Sequence, residues 1–133
     1  FAPAPGGAAL TPASDGYLYI DRERFHEAFC ADVPEDEARI MAAAQKPLAA
    51  AIFGQTYDDA AWKTIPSWYL VSQDDRMINP DQERFYARRM NATTREIEAS
   101  HVSLVSCPAE VTRLIADAAR ATAPALHEAP STF

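Results

Sequence analysis

The sequence predicts an α/β fold whose C-terminal half is a βαβα unit. An apolar run, "IPSWYLVS" from Ile65, and a shorter segment with β-branched residues at its start, "TTREIEA" from Thr93, indicate two strands. Each is followed by an amphipathic segment typical of a helix, and this order predicts parallel strands joined by a crossover helix. Because a parallel sheet needs further strands and cover on both faces, we expect an incomplete fold on its own.

The elements of this unit have clear local signals. The near-continuous apolar run at residues 65–72 is typical of a strand buried on both faces. In "NPDQERFYARRMN", Asn79 is a helix-capping residue and Pro80 suits a first helical turn. The last segment, "PAEVTRLIADAARAT", has the helical spacing i, i+3, i+4 and i+7 at its apolar positions, which are Val111, Leu114, Ile115 and Ala118.

The N-terminal half divides into two parts. Residues 1–16 are rich in proline, alanine, glycine and serine without any period, which predicts a linker or mobile segment. Residues 17–60 predict a mainly helical segment, in which a short apolar run, "YLYID", precedes the helical segments "RERFHEAFCADV", "PEDEARIMAAAQK" and "LAAAIFG". We assign residues 61–121 to the C-terminal part of the core and residues 122–133 to a tail.

The composition narrows the function. With 133 residues and 48% hydrophobic residues, the chain is long enough for one domain with its own core. A net charge of -7 without any basic block argues against nucleic acid and anionic membranes as partners, and favours a neutral or hydrophobic small molecule. No stretch is long and apolar enough for a bilayer span or a secretory signal, and we expect two reduced cysteines and a cytoplasmic location.

The glycines exclude two kinds of motif. The sequence has four glycines, and none follows Gly54. It therefore contains neither a Gly-rich phosphate loop nor the G-x-S-x-G turn that presents a nucleophilic serine.

Candidate catalytic side chains follow the two predicted parallel strands. Asp74 and Asp75 come after the first strand, and His101 comes after the second. Catalytic groups of open parallel sheets gather at the carboxyl ends of the strands, so we expect these side chains to meet at one rim. A carboxylate that accepts from one imidazole nitrogen leaves the other nitrogen free as a general base.

These residues belong to a longer pattern. The segment 61–119 resembles the C-terminal part of α/β-hydrolase-fold esterases, and is similar to the branch of pyrethroid hydrolases, plant salicylate methyl-ester esterases and hydroxynitrile lyases. The shared features are a strand reading I-P-S-W-Y-L-V, a turn with a catalytic Asp followed by Arg and Pro, and an S-H-x-x-x-x-S-x-P motif. They correspond here to Ile65 to Val71, to Asp75, Arg76 and Pro80, and to Ser100, His101, Ser106 and Pro108.

The resemblance implies a function. Asp75 would be the acid and His101 the base of a catalytic triad, with Asp74 a bystander, in a serine hydrolase that cleaves a small hydrophobic carboxylic ester without metal or cofactor. Residues 17–60 resemble the cap that covers the acyl pocket of the family. Nothing here matches the family's nucleophilic serine or oxyanion motif, so an N-terminal hydrolase half is the implied partner, in the same polypeptide or a second chain.

Two other functions remain open at this stage. The chain could be a non-catalytic truncated hydrolase module that acts by binding or dimerisation through an exposed sheet edge, and homo-oligomerisation is compatible with either function. A hydroxynitrile-lyase-type member would need a lysine and a threonine in the pocket, and the sequence does not place Lys46 or Lys63 there. Ser103 and Ser106 lack a strand-to-helix elbow, which favours structural roles, and His26 reads as a solvated helix residue.

Overall fold

The computed structural model describes residues 1–123 and arranges them as two small sheets with five α-helices. The strands are β1 (Leu10–Pro12), β2 (Tyr17–Ile20), β3 (Leu48–Ala49), β4 (Trp68–Ser72) and β5 (Thr93–Ile97). The α-helices are α1 (Phe25–Phe29), α2 (Glu35–Ala44), α3 (Pro80–Arg89), α4 (Ser103–Ser106) and α5 (Pro108–Thr122). Short 3-10 helices span Pro5–Ala9, Ala50–Gly54 and Ala61–Lys63.

The predicted βαβα unit is confirmed. Strands β4 and β5 pair in parallel, with Trp68 opposite Thr93 and Ser72 opposite Ile97, and α3 connects them. The side chain of Asn79 caps α3 by accepting a 2.9 Å hydrogen bond from the Asp81 amide. This N-cap hydrogen bond fixes the start of α3 relative to the end of β4. It therefore also fixes the position of the turn between them.

This parallel sheet has only two strands among residues 1–123, so its outer edges and part of its surroundings lack partners. Helix α5 shows the effect, because Leu114 is buried whereas Ile115, on the same predicted apolar face, is 63% exposed. Exposed large apolar side chains of this kind indicate that the fold is partial, as the sequence predicted.

The linker predicted for residues 1–16 is not observed as such. Residues Pro5–Ala9 form a 3-10 helix, and β1 pairs antiparallel with β2. The backbone explains the difference: the Gly6 amide donates a 2.6 Å hydrogen bond to the Arg76 carbonyl, and the Asp21 amide donates one of 2.8 Å to the carbonyl of Ala9. A segment held by backbone hydrogen bonds needs no periodic pattern of side chains. The sequence pattern therefore gave no indication of this 3-10 helix or of β1.

The predicted cap also differs, since it is a mixed structure rather than purely helical. Strand β3 lies in the segment predicted as a third helix and pairs with β2 to complete a three-stranded antiparallel sheet. The rest of that segment is the 3-10 helix Ala50–Gly54. Helix α1 is also shorter than predicted, because Asp21 caps the preceding turn by accepting from the amides of Glu23 and Arg24.

One hydrophobic core joins the cap to the C-terminal part. Its buried residues come from α1, from α2 and the loop between them, and from the turn that follows His101; they are Phe25, Cys30, Val33, Ala38, Ala42 and Val102. Cys30 is buried, Cys107 is half-buried, and both thiols are free, as predicted. The tail predicted beyond α5 lies, from residue 124 onward, outside the described residues. Across residues 1–123, each helix is too short or too polar to cross a membrane.

We expect Gly6→Ala to destabilise the fold, because a Cβ there would lie 2.5 Å from the Arg76 carbonyl oxygen and 2.9 Å from Sδ of Met77. Overpacking of this kind lowers the free energy of unfolding by about 1 to 3 kcal/mol, measurable by urea denaturation. Gly7→Ala is the matched control, since nothing lies within 4 Å of its Cβ. Equal effects of the two substitutions on unfolding would contradict the close contact.

Candidate active site

The two predicted strand tips meet at one rim of the parallel sheet. Nδ1 of His101 lies 2.7 Å from Oδ2 of Asp75. Because an ionised carboxylate only accepts hydrogen bonds, Nδ1 carries the proton and donates it to Asp75. Within residues 1–123 no group hydrogen-bonds to Nε2 of His101, which leaves this nitrogen free to accept a proton. The predicted juxtaposition is confirmed, while a catalytic role for the pair stays a prediction.

The Asp75 carboxylate is held by its own turn. Its Oδ1 accepts hydrogen bonds from the amides of Met77 at 2.7 Å and Ile78 at 2.9 Å, and the residue is only 5% exposed. Burial alone would raise the pKa of Asp75, but the bonds from His101 and from these two amides outweigh it and hold the pKa below its ordinary value. Asp75 is therefore a buried anion at neutral pH.

Asp74 is not part of this arrangement. Its side chain is exposed, and its amide donates a 3.1 Å hydrogen bond to the carbonyl of Ala99, next to the end of β5. Of the two adjacent aspartates, only Asp75 turns inward toward His101. Asp74 thus lies apart from the pair, and its assignment as a bystander in catalysis stays a prediction.

The Asp75 turn is braced by the N-terminal half of the chain. Besides the bond from Gly6 to the carbonyl of Arg76, Nδ2 of Asn79 donates a 3.0 Å hydrogen bond to the carbonyl of Ala2. The guanidinium of Arg76 lies 3.1 Å from the carboxylate of Glu27 on α1. Three contacts from outside the parallel sheet therefore fix the turn that holds the carboxylate.

A residue of the cap, Asp32, fixes the turn that holds His101. Its Oδ2 accepts a 2.8 Å hydrogen bond from the amide of Ser100. Burial would raise the pKa of Asp32, but hydrogen bonds from the side chain and amide of Ser100 outweigh it, so the pKa lies below its ordinary value. Sequence reasoning missed Asp32, because an aspartate between two helices is an ordinary loop residue.

A second buried carboxyl, Glu83 on the first turn of α3, lies beside Asp75. It is 5% exposed, its Oε2 accepts a 2.8 Å hydrogen bond from the amide of Ser72, and its carboxyl is within hydrogen-bonding reach of the Asp75 carboxyl. Sequence reasoning also missed this residue, since an acidic side chain in the first turn of a helix is usually explained by the helix dipole.

An apolar cavity of about 640 Å³ opens onto His101. The ring of Phe29 packs against the imidazole with a centroid distance of 4.9 Å, and Met77 and Ile78 of the Asp75 turn also face the cavity. The remaining wall comes from Leu10 on β1 and from residues of the cap, which are Leu18, Ile20, Phe25, Met41, Gln45, Lys46, Leu48 and Phe53. The arrangement places the imidazole of His101 beside a site suited to an apolar ligand.

Polar residues are few in this cavity. The Gln45 side chain is occupied by hydrogen bonds of 2.9 Å to the amide and to the carbonyl of Ile20, which leaves Lys46 and His101 as the charged or titratable groups of the lining. Lys63 lies elsewhere and donates to the carbonyl of Asp58. No cluster of three or more potential metal ligands occurs in the part of the chain that the structure describes.

The other candidate side chains from the sequence are not hydrogen-bonded to the Asp75 and His101 pair. Ser103 and Ser106 lie on the short helix α4, with no strand-to-helix elbow around them. His26 on α1 is half-buried rather than solvated, because its Nε2 lies 2.8 Å from the carbonyl oxygen of Val33. None of these side chains hydrogen-bonds to Asp75 or to His101.

Known structures share this architecture. The chain superimposes on a pyrethroid hydrolase from Sphingobium faniae JZ-2 with a TM-score of 0.73 and 23% identity, covering 90% of this chain and 50% of that chain. A pyrethroid hydrolase PytH with BIF gives a TM-score of 0.68 and 23% identity, with 89% and 50% covered. The chain thus spans about half the length of these proteins, and at this identity the likeness concerns the fold.

Sequence comparison agrees with the fold. No curated protein matches the chain. A family model described as "Alpha/beta hydrolase family" matches residues 1–114 of the chain. The matched region includes the cap, Asp75 and His101. The chain therefore belongs to the alpha/beta hydrolase family.

Proposed function

We propose that this chain is part of a serine hydrolase that cleaves carboxylic esters, in which Asp75 is the acid and His101 the base of the catalytic triad. The observation that carries the proposal is the 2.7 Å hydrogen bond between Nδ1 of His101 and a buried carboxylate, at the end of an apolar cavity. The nucleophilic serine and the oxyanion hole belong to a segment outside residues 1–133.

The proposed reaction has two stages. In the first, Nε2 of His101 removes the proton of the serine hydroxyl as the serine oxygen attacks the ester carbonyl. Asp75 stabilises the resulting imidazolium through Nδ1, and backbone amides outside this chain hold the oxyanion. The imidazolium then protonates the leaving alkoxide, and the alcohol departs while the acyl group stays on the serine.

In the second stage His101 acts again as a base. It removes a proton from water, the resulting hydroxide attacks the acyl carbonyl, and collapse of the tetrahedral intermediate returns the proton to the serine oxygen. The carboxylic acid is released and the enzyme returns to its starting state. The fixed position of His101, held through Asp75, Phe29 and the Ser100 turn, supports this repeated use of one nitrogen.

The cavity supports a hydrophobic acyl or alcohol group in the substrate. Its lining is predominantly apolar, and a volume of about 640 Å³ accommodates a ligand of many heavy atoms. The related solved structures are described as pyrethroid hydrolases, which agrees with a hydrophobic substrate. We propose a hydrophobic ester whose apolar part is covered by the cap.

The lyase alternative is less well supported. Lys46 does line the cavity, as a hydroxynitrile-lyase-type site would require, but its side chain is largely exposed. No threonine of the described residues lines the cavity. Ester hydrolysis needs only the His101 and Asp75 pair together with a serine, and is therefore the function we propose.

We expect Asp75→Asn to lower kcat for ester hydrolysis by about 10⁴-fold and His101→Ala by at least about 10³-fold, because each removes the oriented base. The measurement is hydrolysis of p-nitrophenyl esters by the full-length polypeptide that includes the serine segment. Asp74→Asn is the matched control and keeps kcat close to that of the wild type, since Asp74 is exposed.

Two results would contradict this assignment. If Asp74→Asn and Asp75→Asn had equal effects on kcat, the acid would not be Asp75. If the full-length polypeptide hydrolysed no ester but bound a partner chain with unchanged affinity after His101→Ala, the non-catalytic alternative would replace the proposal.

We also expect activity to depend on the length of the acyl chain. Each added methylene that enters the cavity contributes about 0.8 kcal/mol, so kcat/KM rises by up to about fourfold per carbon until the cavity is filled. A series of p-nitrophenyl esters from acetate to decanoate measures this dependence. A kcat/KM that does not change along the series would show that the acyl group lies outside the cavity.

A further inference from the structure

We propose that Glu83 is a positioning residue of the catalytic pair, whose carboxyl O–H donates a hydrogen bond to the Asp75 carboxylate. The proposal rests on the proposed function, because it gives Glu83 a role in keeping Asp75 aligned with His101. Glu83 does not line the apolar cavity, and in the described structure it forms no hydrogen bond to the imidazole.

The donors around the two carboxyls decide which one holds the proton. Asp75 accepts three N–H hydrogen bonds, from His101, Met77 and Ile78, whereas Glu83 accepts only the one from the Ser72 amide. Two buried carboxyls in contact cannot both ionise at low cost, so the one with fewer donors keeps its proton. Glu83 is therefore the acid of this pair and Asp75 the anion.

The surroundings of Glu83 support the neutral form. Its burial is the largest cause that raises its pKa, the hydrogen bond from Ser72 opposes this, and the charge of Asp75 raises it further, to about 7. The charged or titratable groups that face it are Asp75 from the β4 turn, His101 from the β5 turn and the phenol of Tyr69 from β4. In the described structure, no lysine or arginine forms an ion pair with Glu83.

The neighbouring cation is engaged elsewhere. Arg84, the next residue on α3, pairs with Asp81 and with Glu96 on β5, at 2.9 Å and 2.7 Å. Its guanidinium therefore compensates exposed carboxylates rather than the buried one. In the described structure, the Glu83 carboxyl is therefore neutralised by its own proton and not by a neighbouring cation.

The consequence is a dependence on pH that does not come from His101. When Glu83 ionises, its O–H bond to Asp75 is lost and two negative charges lie side by side, so Asp75 moves away from its position under His101. The pKa of Glu83 is raised in the folded state, so its contribution to stability is fully present below pH 4.5 and is lost as the pH rises through about 7.

The test is Glu83→Gln in the full-length polypeptide. The amide retains both interactions at every pH, because its oxygen accepts from the Ser72 amide and its N–H donates to Asp75. We expect the ratio of kcat/KM in the variant to that in the wild type to be near one at pH 5.5. The ratio should rise about three- to tenfold by pH 8.5 with a midpoint near 7, as the ordinary net contribution of one hydrogen bond implies.

Taking this ratio removes the dependence on pH that the two proteins have in common. Glu98→Gln is the matched control, since Glu98 is an exposed carboxylate that follows β5 and its ratio should stay flat across the range. A flat ratio for Glu83→Gln, or one that falls with pH, would overturn the positioning role. A purely structural role would lower activity without a midpoint near 7.

A second measurement keeps the proposal testable if the variant does not fold or no ester is turned over. Carbon-13 NMR of labelled wild-type protein follows the carboxyl signals of Glu83 and Asp75 as the pH changes. A Glu83 midpoint near 7, accompanied by a change of the Asp75 signal at the same pH, supports the proposal even if the esterase function fails. A Glu83 midpoint near the ordinary 4.5 overturns it, whatever the activity.

Discussion

A buried carboxylate must accept hydrogen bonds at both of its oxygens, and the surrounding structure has to supply the donors for Asp75. With 5% of its surface exposed, it takes N–H donors from its own turn and from His101. The turn from Asp75 to Ile78 adopts the shape that directs two amides toward one oxygen. The parallel register of β4 and β5 brings the imidazole to the other, and a shift of one residue in that register would separate the pair.

The cap is bonded to both of the turns that carry Asp75 and His101. Asp32 accepts from the amide of Ser100, Glu27 pairs with Arg76, and Val102 packs in the same core as Phe25. The Arg76–Glu27 ion pair is exposed and contributes little to stability. The hydrogen bond to Asp32 contributes more, because it satisfies the buried amide of Ser100. Movement of the cap relative to the sheet would therefore also displace the turn that holds His101.

How much of this follows from the sequence depends on the kind of contact. The helix cap at Asn79, the two strands and the meeting of Asp75 with His101 were predictable, because local signals and the rule for parallel strands determine them. The pairing of β1 with β2 was not, since backbone hydrogen bonds leave no side-chain period. Asp32 and Glu83 were missed because their partners are set by tertiary contacts, and an acidic residue in a loop or first turn has an ordinary local explanation.

The close approach of Gly6 to the carbonyl of Arg76 bears on how the chain acquires its structure during synthesis. Gly6 leaves the ribosome well before the Asp75 turn exists, so its hydrogen bond to Arg76 cannot form until β4 and the turn after it have emerged. A contact between such distant parts of the sequence closes a long loop, which slows folding. The hydrogen bond of Gly6 is therefore among the later contacts of the fold to form, whereas β1 can pair with β2 as soon as both strands are synthesised.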